Sequence, residues 1–181
     1  GGAVAVSGEG SRRGGSVGRC GVVEGPGGAL ASITPASFAS AMITRKGSPA
    51  LAAGCTVVIK TAEATPFSAL ALAELADRAG FPPGVLNVIT GDAPSIGGEM
   101  CANPIVRKVS FTGSTEVGRL LMKQVAPTIT KISLELGGNA TLIVFDDAGL
   151  DALAARSMVS KHRNTGTTRA CRTRFFVHVT V

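Results

Sequence analysis

Short hydrophobic runs alternate along the chain with longer segments in which apolar and polar residues recur at helical spacing. The runs are rich in β-branched residues and nearly all apolar, as in strands covered on both faces. They are residues 55–59, 85–89, 108–111, 132–134 and 142–145. The segments between them are rich in Ala and Leu and predict helices at about 38–53, 66–80, 94–103, 115–126 and 149–161. Strands that alternate with helices favour βαβ units, so the predicted fold class is α/β with a parallel sheet.

Local signals refine this pattern at two places. Pro66 suits the first turn of the second helix, with Thr65 as its N-cap, and Gly80 predicts the end of that helix. Residues 1–28 contain eleven glycines and no apolar periodicity. We therefore expect this first segment to be disordered or irregular.

The excess of basic over acidic side chains is confined to the two ends of the chain. The net charge is +6, but residues 46–150 carry eight basic and nine acidic side chains, whereas residues 151–181 carry six and one. Tyr and Trp are absent. A basic face with interleaved aromatic residues is therefore missing, and we do not expect nucleic-acid binding. No long uncharged apolar run is present, so no membrane span is predicted.

Four scattered cysteines without a C-x-x-C pair, and only two histidines, predict no metal site. Such cysteine usage is typical of a reducing compartment, here cytoplasmic or mitochondrial. The Gly/Arg/Ser-rich first residues are compatible with the remnant of a transit peptide.

Glu135 stands between two leucines at the end of a strand-like run, just before Gly137 and Gly138. Apolar neighbours tend to raise the pKa of a carboxyl group, which suits a general base near neutral pH. By local pattern alone, an ordinary glutamate that faces solvent at a strand end explains the run as well.

Two other segments carry candidate ligand-binding groups. Lys60 and Glu63 follow a predicted strand at the edge of the sheet where α/β proteins bind ligands, and both are able to reach ribose hydroxyls. Residues 111–118 join a strand to a helix, where backbone N–H groups and the Ser114 hydroxyl favour a pyrophosphate. An exposed ion pair and a well-capped helix are the alternatives when each segment is taken alone.

In this order, residues 60–63, 111–118 and 131–140 resemble the aldehyde dehydrogenase superfamily. The resemblance runs from about residue 29 to about residue 174 and is greatest to succinate-semialdehyde dehydrogenases. It implies a Rossmann-like parallel sheet with flanking helices. It also implies a low-complexity segment at 1–28, a portion of the NAD(P)-binding domain at 29–136, and the incomplete start of a catalytic domain at 137–181.

The resemblance assigns roles to individual residues. It makes Glu135 the general base that activates water, with Lys46 beside it. It implies that Arg45 and Arg163 bind the substrate carboxylate. The cofactor-binding residues that it implies are Lys60, Glu63, Gly113, Ser114, Thr115 and Leu136. A glutamate at position 63 accepts a hydrogen bond from a ribose 2′-hydroxyl and repels a 2′-phosphate, so we expect NAD to be preferred to NADP.

The chain departs from the family pattern at its chemically sensitive positions. Ser37 stands where the family has the asparagine that donates to the oxyanion. Arg169 occupies the position of the nucleophilic cysteine, and arginine cannot form the covalent intermediate. Cys171 matches a second cysteine of some relatives, but two residues of extended chain span roughly 6–7 Å, so it does not replace the lost thiol.

The function expected from the resemblance is oxidation of succinate semialdehyde, or a similar aldehyde, by NAD(P)+. The intact enzyme is expected to be a homo-oligomer. A non-catalytic nucleotide-binding or interaction protein is the alternative, because of Arg169 and because the family continues beyond residue 181. A damaged copy of an active enzyme is a third interpretation.

Overall fold

The computed structural model describes residues 4–7, 21–24, 27–162 and 172–180. Three residues with expected roles, Arg163, Arg169 and Cys171, lie outside these ranges. The chain forms two compact units, Gly1–Glu135 and Leu136–Val181.

The first unit is built on a five-stranded parallel sheet. Its strands are β3 (Ala29–Ile33), β4 (Val57–Lys60), β5 (Leu86–Ile89), β6 (Val106–Thr112) and β7 (Lys131–Glu135), in the spatial order β5-β4-β3-β6-β7. The connecting helices are α1 (Ala39–Ala52), α2 (Phe67–Arg78), α3 (Ala93–Ala102) and α4 (Thr115–Val125), followed by a 3₁₀ turn at Ala126–Thr128. The predicted α/β class with a Rossmann-like parallel sheet is confirmed.

The strand order reverses between β3 and β6, and this reversal distributes the helices over both faces of the sheet. Helices α1 and α2 contact β3, β4 and β5, and helices α3 and α4 contact β6 and β7. Because crossovers between parallel strands are right-handed, the two pairs of helices cover opposite faces. The core on the α1 side comprises Leu30, Ile43, Val57, Ile59 and Ala69.

Two local predictions are wrong. Thr65 does not cap α2: the cap position is Pro66, which makes no side-chain cap bond, and the buried Thr65 hydroxyl has no partner among the described residues. The backbone is already helical at Pro66, and the Thr65 N–H closes a turn onto the Ala62 carbonyl. The second wrong prediction is that residues 1–28 are disordered or irregular. Strands β1 (Val4–Ser7) and β2 (Gly21–Glu24) lie in this segment and pair antiparallel. Backbone pairing between two short strands needs no apolar periodicity.

The second unit is a single βαβ crossover. Strands β8 (Ala140–Val144) and β9 (Arg172–Val177) pair in parallel, and helix α5 (Leu150–His162) lies between them in the chain. Its described side chains are mostly exposed, and Val144 is the one buried hydrophobic residue among them.

Candidate active site

The central feature of the site is Glu135, the last residue of β7. It lies in register with Thr112, the last residue of β6. The Thr112 hydroxyl donates a hydrogen bond of 2.8 Å to Oε2 of Glu135, and the Gly113 N–H donates one of 3.1 Å to the Glu135 carbonyl oxygen. Parallel pairing to the very ends of both strands therefore fixes the backbone and one carboxylate oxygen of Glu135.

Helix α1 brings two cations to the same carboxylate. Lys46 Nζ lies 3.5 Å from Oε2 of Glu135, and an Arg45 guanidinium nitrogen lies 3.7 Å from Oε1. The Lys46 side chain is 5% exposed, whereas that of Arg45 is 57% exposed. The buried ammonium is thus committed to Glu135, and the exposed guanidinium keeps donors available to a ligand.

The pKa of Glu135 is lowered, which contradicts the raised value expected from its apolar neighbours in the sequence. The Thr112 hydrogen bond is the main cause, and the charges of Lys46 and Arg45 add to it. Desolvation acts in the opposite direction but is outweighed, because the side chain is 47% exposed. For Lys46 the balance is reversed: burial lowers its pKa more than the attraction of Glu135 raises it.

A second ion pair stands at the end of β4. Lys60 Nζ donates to Oε1 of Glu63 at 2.5 Å, with the Lys60 side chain 5% exposed and that of Glu63 57% exposed. The hydrogen bond from Lys60 is the main cause of a lowered pKa for Glu63. Glu63 is therefore an ionised acceptor at neutral pH, held at the edge of the sheet with its free surface towards solvent.

The loop from β6 to α4 supplies the third part of the site. Ser114 is the N-cap of α4, and its hydroxyl oxygen accepts a hydrogen bond of 3.3 Å from the Val117 N–H. Position 113 requires glycine, because a Cβ there would overlap the ring of Phe111. The loop thus directs the positive end of a helix dipole to the edge of the sheet where β4, β6 and β7 also end.

Some of the residues with expected roles lie close together in the structure, and others do not. Arg163 lies outside the described residues. Arg45, Lys46 and Glu135 form one cluster. Lys60, Glu63, Gly113, Ser114 and Thr115 lie at the carboxyl ends of β4 and β6, in the same unit. Ser37 is half-buried in the turn before α1, and Leu136 is the first residue of the second unit.

Thr112 is the residue that sequence reasoning missed. Its role follows from the register of β6 and β7, which no local pattern reveals. The one available signal is that both strands run directly into a glycine-containing break, at Gly113 and at Gly137, so that Thr112 and Glu135 end neighbouring strands.

Within the described residues, no group of three or more His, Cys, Asp or Glu side chains is arranged to hold a metal ion. None of the helices in the same part of the chain is long and apolar enough to cross a membrane.

Residues 7–181 match the sequence profile of the aldehyde dehydrogenase family. The chain belongs to the aldehyde dehydrogenase family. It is 61% identical over 156 residues to a glutarate-semialdehyde dehydrogenase of Pseudomonas aeruginosa, covering 86% of this chain and 32% of the relative. It is also 61% identical over 156 residues to an NADP(+) succinate-semialdehyde dehydrogenase of Escherichia coli, with the same coverage.

Solved structures of aldehyde dehydrogenases share the fold. The crystal structure of succinate-semialdehyde dehydrogenase from Burkholderia pseudomallei has a TM-score of 0.86 and is 56% identical. That match covers 99% of this chain and 36% of the other. The chain therefore spans about a third of the length of these aldehyde dehydrogenases.

Proposed function

We propose that the protein takes part in NAD-dependent oxidation of an aldehyde that carries a carboxylate, succinate semialdehyde or a similar compound. The overall reaction is RCHO + H₂O + NAD⁺ → RCOOH + NADH + H⁺. The observation that carries the proposal is the cluster of Glu135 and Thr112, at the carboxyl ends of β7 and β6, with Lys46 and Arg45 of helix α1. It combines an ionised proton acceptor with an exposed guanidinium in one place.

Residues 29–136 form the cofactor-binding portion in this proposal. A dinucleotide fits the described groups, because Lys60 and Glu63 present a donor and an acceptor that suit ribose hydroxyls. The N-terminus of α4, with Ser114, Gly113 and Thr115, suits a pyrophosphate. Leu136 is proposed to border the same cofactor. When bound, NAD⁺ supplies the hydride acceptor.

Glu135 is the proposed proton acceptor from the attacking water. Its lowered pKa keeps the carboxylate ionised at neutral pH. The carboxylate is therefore able to accept a proton, but it is a weak base. Thr112 holds one oxygen, Oε2, and leaves Oε1 to face Arg45 and water. Lys46 fixes the carboxylate in the sheet edge and limits its rotation.

Arg45 is the proposed binding group for the substrate carboxylate. Its guanidinium presents a fork of donors that matches a carboxylate. Arg163 is proposed as the second such group. The two relatives named for succinate and glutarate semialdehyde act on aldehydes with this kind of tail.

NAD is the proposed cofactor, although the Escherichia coli relative is named for NADP(+). The reason is the charge of Glu63. An ionised carboxylate at the ribose accepts a hydrogen bond from a 2′-hydroxyl but repels a 2′-phosphate.

Calorimetric titration with NAD⁺ and NADP⁺ tests the cofactor half of the proposal. We expect NAD⁺ to bind and Lys60→Met to weaken it by about tenfold, the value of one charge-assisted hydrogen bond. Arg78→Met, on the outer part of α2, is the matched control. No NAD⁺ binding to the folded chain would make the cofactor assignment wrong.

The catalytic half is tested by NADH formation from succinate semialdehyde. Because Arg169 stands at the nucleophile position, we expect Arg169→Cys to raise the rate above that of the parent chain. Adding Glu135→Gln to this variant should abolish the gain, since the proton acceptor is then lost. A gain that survives Glu135→Gln would exclude Glu135 as the base.

A further inference from the structure

Four hydroxyl side chains stand together on one face of the large sheet. Ser32 of β3 is the register partner of Ser110 of β6. Two residues further along, Thr34 and Thr112 continue this pairing, and the Thr34 N–H still donates a ladder bond of 3.1 Å to the Lys60 carbonyl oxygen. Because residues two apart share one face of a strand, the four side chains occupy the corners of a rectangle of about 4.8 by 6.6 Å. We call them the hydroxyl quartet.

The hydroxyl quartet is buried under helix α1. Leu30 lies on the same face of β3 as Ser32 and packs in the core with Ile43 of α1. Ser32 is 0% exposed and Thr34 is 4% exposed, and Ser110 and Thr112 are buried as well. Oγ of Ser32 and Oγ1 of Thr34 have no hydrogen-bond partner among the described residues. Because a buried hydroxyl without a partner is costly, both oxygens call for a further polar group.

Helix α1 leaves room for such a group above the sheet. Its buried residues are Ile43, Lys46 and Gly47, and Gly47 follows Ile43 by one helical turn on the same side. A Cβ at Gly47 would meet no heavy atom within 4 Å beyond its chain neighbours and the helix backbone. The inner side of α1 therefore has space for one small molecule at Gly47.

We propose that one ordered water molecule binds between Gly47 and the hydroxyl quartet, and that Ser32 and Thr34 thereby act as positioning residues for Glu135. The water accepts hydrogen bonds from Ser32 and Thr34 and donates to the hydroxyl oxygens of Ser110 and Thr112, which gives it four partners. The bond that Thr112 accepts fixes its hydroxyl rotor, so its single proton points to Oε2 of Glu135. The catalytic meaning of this positioning rests on the proposed function.

Water suits the hydroxyl quartet better than an ion does. Each hydroxyl both donates and accepts, as water does. The charged groups that face Glu135 are Lys46 and Arg45 of α1. A cation at the quartet would lie next to Lys46, which adjoins Gly47 in the chain, and an anion would lie next to Glu135, which Thr112 contacts. Both ions would be repelled by a group already in place.

The first test is the pKa of Glu135 in the full chain, measured by carbon-detected NMR. We expect Thr34→Val to raise it by about half as much as Thr112→Val does, because the Thr112 hydroxyl remains but is no longer oriented. Thr34→Ser keeps the donor and should retain the parent pKa. Thr65→Val is the matched control, since it removes another buried hydroxyl without a described partner in the same unit. An unchanged pKa in Thr34→Val, or an equal rise in Thr65→Val, would overturn the proposal.

Gly47→Ala tests the space that the water occupies. Alanine inside a helix normally raises the melting temperature. Here its methyl group should also displace the water, so we expect the pKa of Glu135 to rise as in Thr34→Val. Gly98→Ala on α3 is the matched control, because a Cβ there also meets no atom within 4 Å, and it should leave this pKa unchanged. A parent pKa in Gly47→Ala would contradict the water site.

Rotating-frame NOE spectra detect the water directly. We expect a cross-peak between water and the Gly47 α-protons in the parent chain and its loss in Thr34→Val; absence of the cross-peak in the parent chain would overturn the proposal. These measurements need no turnover, so they are independent of NADH formation by Arg169→Cys. If that variant forms no NADH while the three pKa rises are observed, the proposed function fails and the water site stands.

Discussion

At the residue scale, Glu135 is controlled by partners from two elements. Thr112 reaches it from the neighbouring strand, and Arg45 and Lys46 reach it from α1. A hydrogen bond to the charged form and two nearby cations all favour ionisation. The same contacts restrain the carboxylate, so a strong base would require one of them to be released during turnover.

Thr112→Val removes the hydroxyl while preserving side-chain shape, so the pKa of Glu135 should rise towards the ordinary value of about 4.3. In the parent chain this bond contributes stability that is fully present above the unfolded-state pKa and is lost as the pH falls through the lower folded-state pKa. Thr112→Val should therefore flatten the acid side of the stability curve. Carbon-detected NMR of the Glu135 carboxyl group measures the titration.

Thr112→Ser is the control for this titration, because it keeps the donor and should retain the lowered pKa. A Glu135 pKa that is the same in the Val and Ser variants would mean that the hydrogen bond from Thr112 does not control the carboxylate.

Glu63 gives a prediction about cofactor choice. Glu63→Ser removes the negative charge at the ribose end of the site, while a short hydroxyl remains to accept a hydrogen bond. We expect NADP⁺ affinity to rise by about tenfold relative to NAD⁺, measured by calorimetry. Glu74→Ser, on the outer part of α2, should leave the ratio unchanged. If Glu63→Ser leaves the ratio of NADP⁺ to NAD⁺ affinity unchanged, the 2′-position of the ribose does not lie next to Glu63.

At the element scale, the N-terminus of α4 combines a structural and a binding role in Ser114. Ser114→Ala removes the N-cap bond to the Val117 N–H and should cost about 1 kcal/mol of stability. Ser114→Gly costs only a few tenths of a kcal/mol at an N-cap, yet it also lacks the hydroxyl. We expect both variants to bind NAD⁺ more weakly, with only the alanine variant clearly destabilised in a thermal melt. If the glycine variant binds NAD⁺ with the affinity of the parent chain, Ser114 caps α4 but does not bind the cofactor.

The sequence predicts the five helices and five of the seven parallel strands to within about two residues, because apolar periodicity reflects burial directly. It misses β3, the central strand of the large sheet, and β9. It does not predict the pairing of Thr112 with Glu135, since the register of β6 and β7 depends on how the crossover through α4 packs. The pKa direction of Glu135 was missed for the same reason: Leu134 is its neighbour in sequence, but Thr112 and Lys46 are its neighbours in space. The prediction of Thr65 as the N-cap is wrong because the cap position is Pro66, whose backbone is already helical.

At the scale of the whole molecule, the two units differ in how much core each one has. In the first unit, β6 alone buries Val109, Ser110, Phe111 and Thr112. In the second unit, among the residues that the structure describes, Val144 is the one buried hydrophobic side chain, and large apolar side chains such as Ile143, Phe145 and Phe176 are exposed. Since burial is the main stabilising contribution, the stability of the chain should reside in Gly1–Glu135.

Native-state hydrogen exchange resolves this difference strand by strand. Strands β6 and β8 are both parallel and β-branched, so their amides have similar intrinsic exchange and form a matched pair. We expect the β6 amides to be protected at least about a hundredfold more than those of β8, because opening the second unit exposes little additional apolar surface. In moderate denaturant, the β8 amides should lose their protection from exchange first. The β6 amides should then exchange only through global unfolding. Equal protection of both strands would contradict this order, since the chain would then unfold as one cooperative body despite the sparse core beyond Glu135.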